Sequence, residues 1–457
     1  MNNSETKKIL VTGCSGFIGS KLLKLLIDKK KSGYQYQVRC ITRNKKSMSN
    51  LKVDNNHIEI VEGDLLNYND CINALNGIDI AYYLVHSMEG STKNWKKFSE
   101  KEKTTAENFK RASTDCGVKR IIYLGGLISQ NDDKPSQHMQ SRMQVGNILK
   151  ESNAKVTVFQ AAVILGSGGS SFEMLRYLVE RLPLMICQKW VMSKCQPISI
   201  EDVINYLSES IEKSETEGRT FDIGSPDILT YKDMMKEYAK SINKSIRIIT
   251  LPILTTRISS YWIDLVTPVK ASLARPLVES LKQDAIVKDH SIENIIPLKL
   301  KTFKESVEYC LKEDNKYKKT NIKEIKKERT SFSTNYKILL ASLCLLLFIG
   351  TTYYFLDTRQ DFLKPFWLTI AVLWYLSIIF SIYFIRYGAR LGALVAGIVG
   401  WGTLIFWLLD NYYIVSGHSV LFSTPNVNET SRNILGIIIA SFTIVSSHNI
   451  FNKSRYN

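Results

Sequence analysis

The sequence predicts an α/β fold, a doubly wound parallel sheet with a small substrate subdomain, followed by an all-α region of four transmembrane helices. Three observations predict it: a strand, a glycine turn and a helix in immediate succession at the start, alternating strands and helices after it, and long apolar runs towards the end. At 457 residues the chain is too long for one ordinary domain.

The opening motif is the most specific. The apolar strand Ile9-Leu10-Val11 runs into Thr12-Gly13-Cys14-Ser15-Gly16-Phe17-Ile18-Gly19 and then into an apolar-periodic helix. Gly13 permits a tight turn, Gly16 lets backbone amides approach a diphosphate, and Gly19 lets the helix pack on the strand. The N–H groups and positive dipole end of that helix favour a diphosphate. Strand, turn and helix in this order form the dinucleotide-binding start of a Rossmann sheet, with Thr12, Gly13, Ser15, Gly16, Phe17, Ile18 and Gly19 as the cradle.

Further strands are expected near 36–43, 58–64, 79–85, 120–126 and 155–162, with helices near 17–30, 68–76, 92–116 and 138–152. That alternation means a parallel sheet covered on both faces. The second strand ends on Arg43, with Lys45 and Lys46 close behind and no carboxylate there to accept from a ribose 2′-OH. Arg43 suits a 2′-phosphate, so NADP(H) is expected over NAD(H). Gly63-Asp64-Leu65 ends the third strand, where Asp64 and Leu65 are expected near the adenine. The fourth strand delivers His86 to the carboxyl edge, where ligands bind in open sheets.

The soluble part resembles the atypical branch of the extended short-chain dehydrogenase/reductases, and more closely the bacterial NAD(P)H-binding proteins related to NmrA-like regulators. The resemblance is carried in order by TGCSGFIG, VEGDLLN, AYYLVHSM, RIIYLGGLIS, SRMQVGNIL, SFEMLRYLVERLP, CQPISIEDV, FDIGSPDILTY and SYWIDLVTPVKASLARPLVESL. It implies that active relatives move a proton with a Tyr and a Lys four residues on, helped by a Ser or Thr after the fifth strand. Here those slots hold His138 and Arg142, and Ser129 is the nearest hydroxyl. Two chemistries stay open. His138, with an ordinary pKa of about 6.5, acts as the acid while Arg142 holds a ribose or phosphate; or the acceptor takes hydride with solvent protons. The plain alternative is that both face water on an amphipathic helix. Val163 to Gly166 leads into a Gly/Ser loop and an apolar helix near 172–182, which lines a greasy pocket or is ordinary core. Ser259–Leu281 rests on the bilayer or caps the subdomain.

Four apolar runs, at about 336–356, 366–385, 389–409 and 433–450, meet or approach the length that crosses a bilayer. Tyr353, Tyr354, Phe366, Trp367, Trp407, Tyr412 and Tyr413 collect at their edges as interface anchors do. The basic segment 312–335, Arg386 with Arg390, and Lys453 with Arg455 mark the cytoplasmic side, whereas the other two loops are near neutral. The expectation is a multi-pass inner-membrane protein with the nucleotide domain and C-terminus in the cytoplasm. The domains are then 1–165 for the nucleotide-binding core, 166–311 for the rest of the sheet and the capping subdomain, 312–335 for a basic linker and 336–452 for the membrane region. No cluster of ionisable residues is expected inside the spans, which argues against a transport path.

Part of the net charge of +17 is expected at the membrane face, where each cation near anionic lipid contributes about 1 kcal/mol. No basic groove interleaved with aromatics is present, so a nucleic-acid partner is not expected. Eight scattered cysteines without a C-x-x-C pair read as reduced thiols, with neither disulfides nor a metal site. Two functions stay open: a membrane-anchored oxidoreductase acting on a hydrophobic small molecule such as a quinone or lipid, or a non-catalytic NADP(H)-binding sensor or structural subunit with a membrane-protein partner. A sugar-nucleotide epimerase or dehydratase is the third class, and the absent Tyr-Lys pair counts most against it.

Overall fold

The computed structural model describes residues 6–49, 57–85, 95–127, 135–182, 184–250, 277–320, 322–357, 359, 363–387 and 389–453. The chain divides into two compact units, the first ending at Asp314 and the second running from Asn315 on and also taking in Glu180–Leu182.

The first unit is built on seven parallel strands: β1 (Lys7–Val11), β2 (Tyr36–Thr42), β3 (Ile58–Glu62), β4 (Ile80–Tyr83), β5 (Arg120–Gly126), β6 (Lys155–Ala161) and a later strand, Thr220–Ile223. Short strands β7 (Ile164–Leu165), β8 (Leu184–Cys187), β9 (Lys194–Cys195) and β10 (Ile198–Ser199) precede that last sheet strand, β11; β12 (Leu229–Thr230) and β13 (Arg247–Thr250) follow it. The sheet order is β3-β2-β1-β4-β5-β6-β11, so the chain reverses its direction of build between β1 and β4. Ligands of open α/β sheets bind outside the carboxyl ends at such a reversal.

Helices α1 (Phe17–Lys31), α2 (Lys46–Ser49), α3 (Tyr68–Leu75), α4 (Trp95–Asp115), α5 (Gln137–Lys150), α6 (Ser170–Arg181), α7 (Ile200–Glu209) and α8 (Tyr231–Ser241) complete this unit with shorter pieces. Each strand feeds two cores because successive side chains point to opposite faces. Ile9, Val11, Tyr82, Ile122, Leu124 and Phe159 pack with α1 and α7 on one face. Leu10, Ala81, Tyr83, Ile121, Tyr123 and Val158 pack with α3, α4 and α5 on the other. Phe159 is fully buried between Tyr206 and Phe221, at centroid distances of 6.2 and 5.9 Å.

The expected strands and helices all appear, with ends within a few residues. Strand β11 was not among the expected ones. It is short, and its buried residues Phe221 and Ile223 alternate with half-buried neighbours.

Among its described residues the second unit has four helices long and apolar enough to cross a membrane, with candidate spans Thr334–Thr352, Pro365–Ile385, Arg390–Ser416 and Val427–Asn452. The fourth is longer than the 433–450 expected. Asn426 and Glu429 exchange hydrogen bonds at its start, Glu429 N–H donating to Asn426 Oδ1 and Asn426 N–H to Glu429 Oε2, both at 2.9 Å. This capping box starts the helix in a polar stretch that hydropathy alone excludes.

Loop residues that read as near-neutral are tied into one buried network. Arg359 donates to Asp357 and to both carboxylate oxygens of Asp410, Arg432 reaches Asp357, and Asn433 reaches Asp410 at 2.7 Å. The expectation of no ionisable cluster needs this correction at the span ends, where two cations, Arg359 and Arg432, gather among three carboxylates, Asp357, Asp410 and Glu429.

Phe159→Ala removes a fully buried ring and is expected to destabilise the first unit by about 3–5 kcal/mol, read as a lowered thermal midpoint of the purified chain.

Candidate functional site

The glycine turn stands at the carboxyl end of β1, the central strand. Gly13 has φ +63°, and a Cβ there would lie 2.7 Å from the carbonyl oxygen of Leu84. A Cβ on Gly19 would fall 2.2 Å from Gly13 O, so α1 lies against the turn at a distance no side chain permits. Gly13 O accepts from Gly16 N–H at 2.9 Å, which closes the turn. Gly16 occupies the N-cap of α1, and no side chain caps that helix. Ser15 and Gly16 are exposed, so the first-turn amides are reachable.

The other expected cradle residues divide by role. Thr12 is fully buried, and its Oγ1 accepts from Leu84 N–H at 2.9 Å, joining the ends of β1 and β4. It shapes the turn. Cys14 is buried beneath the turn, its Sγ 3.5 Å from the carbonyl oxygen of Ile41 and 3.4 Å from Met48 Sδ. The Cys40 thiol hydrogen-bonds Cys14 and lowers its pKa, while the same bond and burial hold Cys40 well above the ordinary thiol value.

Arg43 lies just past β2 at the same sheet edge, exposed, with Asn44, Lys45 and Lys46 also exposed. Asp64 follows β3, half-buried, and accepts from Leu66 N–H at 3.1 Å. Leu65, the residue after it, turns inward. It is buried in the α3–α4 core, and its carbonyl accepts from Asn108 at 3.3 Å. His86 and Ser129 lie outside the described residues.

A cavity of about 240 Å³ lies along this edge. Its wall begins at Ile18 in the first turn of α1 and passes Leu84 and the β5 end Leu124–Leu127. It continues by His138 and Arg142 on α5, Met174 on α6, and Trp190 with Tyr231. The structure therefore brings His138 and Arg142 together at the carboxyl edge, next to the glycine turn. Ser136 caps α5 by accepting from Met139 N–H at 3.3 Å, which sets where His138 emerges. Arg142 donates to the carbonyl oxygen of Leu124, and its guanidinium lies 5.2 Å from the Tyr123 ring centroid. It braces α5 against the end of β5. A Cβ on Gly126 would meet Met139 Cε at 2.5 Å, so glycine lets α5 close over the strand end.

Two cavity residues were missed from sequence. Trp190 and Tyr231 are buried and touch edge to face at 5.2 Å, and neither Trp190 Nε1 nor Tyr231 Oη has a hydrogen-bond partner among the described residues. Burial pushes the Tyr231 hydroxyl pKa strongly up, so it stays protonated. Both come from the part of the chain after β7; Tyr231 closes the segment FDIGSPDILTY, which carries the resemblance but gives it no role, and Trp190 has only the signal of an aromatic in a short helix. Met174 settles the apolar helix as both readings at once: Met174 lines the cavity while Phe172, Leu175 and Leu178 are core.

No curated protein sequence matches the chain. Among solved structures, the NADPH-dependent quinone oxidoreductase of Escherichia coli in complex with NADPH is 17% identical, with a TM-score of 0.53 over 66% of this chain and 99% of that one. The triphenylmethane reductase of Citrobacter sp. in complex with NADP(H) is 17% identical, with a TM-score of 0.52 over the same shares, 66% and 99%. The UDP-glucose 4-epimerase of Thermotoga maritima with UDP-glucose is 16% identical, with a TM-score of 0.50 over 67% and 99%. At these identities the likeness is one of fold. The NmrA-like family matches residues 5–309, which hold all seven strands of the sheet, and the chain belongs to that family.

Proposed function

We propose that the protein is a membrane-anchored, NADP(H)-dependent oxidoreductase acting on an apolar, lipid-soluble substrate such as a quinone. One observation carries this reading: an apolar cavity begins at the first turn of α1 and runs past His138 to Trp190 and Tyr231, so a dinucleotide site and a substrate site share one wall. The quinone and triphenylmethane reductases of the same fold support the substrate class.

The residues fit a dinucleotide. The exposed, uncapped start of α1 and the Gly13–Gly16–Gly19 approach would hold a diphosphate, and a side chain at Gly16 would crowd Gly13 O at 3.1 Å. Arg43 with Lys45 and Lys46 would hold the 2′-phosphate, and Asp64 with the Leu65 backbone would meet the adenine. The nicotinamide supplies hydride chemistry when bound. The protein's own work is then to exclude water and orient the acceptor. Leu84, Leu124, Leu127 and Met174 give the cavity an apolar wall. His138 on that wall supplies a proton to the reduced oxygen, taking the place of the Tyr that the family's active enzymes use. Trp190 Nε1–H and Tyr231 Oη–H are donors for a carbonyl oxygen, because a buried donor left without an acceptor costs about 1–3 kcal/mol.

The four apolar helices support anchoring in a membrane. The basic segment 312–335, Arg386 with Arg390, and Lys453 with Arg455 are the reason for reading it as the inner membrane with the nucleotide unit in the cytoplasm, where the anchor raises the local concentration of lipid-soluble substrate. We assign 1–165, 166–311, 312–335 and 336–452 as nucleotide core, capping part, linker and membrane region. A second reading, a non-catalytic NADP(H) sensor or subunit, is favoured by Arg142: its guanidinium is committed to Leu124 O and Tyr123.

NADPH absorbance followed with a panel of quinones separates the two; tight NADPH binding with no oxidation by any of them favours the sensor. Arg43→Ala is expected to weaken NADPH at least tenfold and NADH little, by fluorescence titration; equal losses would remove the 2′-phosphate contact. His138→Ala is expected to stop quinone-dependent oxidation and keep NADPH affinity, and retained turnover would exclude His138 as the acid. Tyr231→Phe is expected to leave the thermal midpoint unchanged or raised, since it removes a buried orphan hydroxyl, and to raise the quinone KM about tenfold for the loss of about 1.4 kcal/mol.

A further inference from the structure

We propose that the four-helix unit is itself a receptor for a flat, uncharged ring carried by a lipid-soluble molecule, bound in an aromatic-walled cavity between its helices. This inference does not depend on the reductase reading of the sheet-edge cavity, because it concerns binding within the second unit alone.

The cavity has a volume of about 290 Å³. An apolar cavity of about 150 Å³ stays dry and holds benzene, so this one has room for a bicyclic ring. Six aromatic side chains form much of its wall: Trp367, Trp374, Tyr375, Phe406, Trp407 and Phe422. Trp367 packs edge to face on Phe422 at 5.0 Å and on Phe406 at 5.9 Å, which holds that end of the wall together.

The polar groups of Trp374, Tyr375 and Thr403 are satisfied inside the protein. Trp374 Nε1–H donates to Thr403 Oγ1 at 2.7 Å, and the Thr403 hydroxyl donates to Val399 O at 2.7 Å. The Thr351 hydroxyl gives its one proton to Leu347 O at 2.7 Å, so the Tyr375 hydroxyl, 3.1 Å away, donates to Thr351 Oγ1. Among the described residues, no charged one lines the cavity. Arg359 lies behind Phe422, 5.4 Å from its centroid, and is paired with Asp357 and Asp410. The site therefore suits an uncharged ring and rejects an ionic headgroup. Ring-on-ring contact adds attraction beyond buried area, which an acyl chain does not gain.

Two glycines serve this space. The Trp374 ring lies on Gly350, where a Cβ would meet its Cη2 at 2.6 Å; only glycine admits that part of the wall. A Cβ on Gly402 would meet nothing within 4 Å, and Gly402 is exposed. Glycine weakens a helix interior relative to alanine, so at Gly402 packing gives no reason for it. An open mouth does: without a side chain there, the cavity is reachable from the lipid-facing side.

The test is tryptophan-fluorescence quenching by menadione, a naphthoquinone, on the full chain in nanodiscs without NADPH. The wild type is expected to show a saturable component whose Kd rises at least tenfold in Gly402→Leu, with NADPH affinity unchanged in both. Ala371→Leu, which fills the cavity from the second helix, is expected to do the same and stands in if Gly402→Leu does not fold. An unchanged Kd in the folded variant, no saturable component in the wild type, or displacement of menadione by a short-chain phosphatidylcholine as readily as by ubiquinone-1 would overturn the proposal. Loss of the component in a variant that still oxidises NADPH with menadione separates this site from the sheet-edge cavity.

Discussion

The approach of α1 to the end of β1 is the constraint on which the rest of the first unit depends. Gly13 turns with positive φ against the Leu84 carbonyl, and Gly19 brings the helix onto the Gly13 carbonyl. A methyl group at either position collides with backbone, which cannot yield as a side-chain tip can. The same contact does three things. It seats α1 on the central strand, leaves the start of α1 uncapped at the sheet edge, and puts Ile18 on the wall of the cavity. Thr12 and Cys14 hold the turn from beneath by bonds to β4 and β2, so the cradle is anchored to both neighbours of β1. Fold and site are here one set of contacts.

Much of this was legible in the sequence because the signals are local. The glycine spacing and the short continuous apolar runs Ile9-Leu10-Val11 and Ile121-Ile122-Tyr123, the mark of strands covered on both faces, act over fewer than ten residues, and they mark both the central strands and the turn. His138 and Arg142 could be placed on a helix beside β5 for the same reason. The orientation of Leu65 was not legible, because a residue after a strand end turns inward or outward according to what packs there; α3 and α4 draw it into the core. Trp190 and Tyr231 were beyond reach for a different reason. They stand 41 residues apart and meet only once β9 and β12 pair.

The membrane unit shows the same limit in another form. Hydropathy finds helices by their apolar length and so passes over Asp357, Arg359, Asp410, Glu429 and Arg432 as loop charges. Three segments converge to bury them, and the Arg359 guanidinium meets two carboxylates. Replacing such a network by apolar groups of equal shape is often neutral, whereas removing one partner leaves a buried charge and is costly. Its contribution is therefore to specify how the span ends meet. By stacking on Phe422, Arg359 also fixes one wall of the aromatic cavity. The order at the polar end and the open space further in are then parts of one arrangement.

In the proposed site, His138 and Arg142 divide the work between one chemical group and one structural group. On α5 they are four residues apart and so share a face, and both line the cavity. Arg142 is turned to the strand: its donor goes to Leu124 O, its plane to Tyr123, and its own carbonyl accepts from Tyr123 Oη at 3.0 Å. A guanidinium used in this way stiffens the helix that carries His138. It does not lower the pKa of a neighbouring phenol, the task of the lysine in the usual pair, because the neighbouring slot holds an imidazole. A histidine needs no such help to exchange a proton near neutrality. On the proposed reading the two residues are chemically consistent: with an imidazole as the acid, the cation four residues on is released to act as a brace.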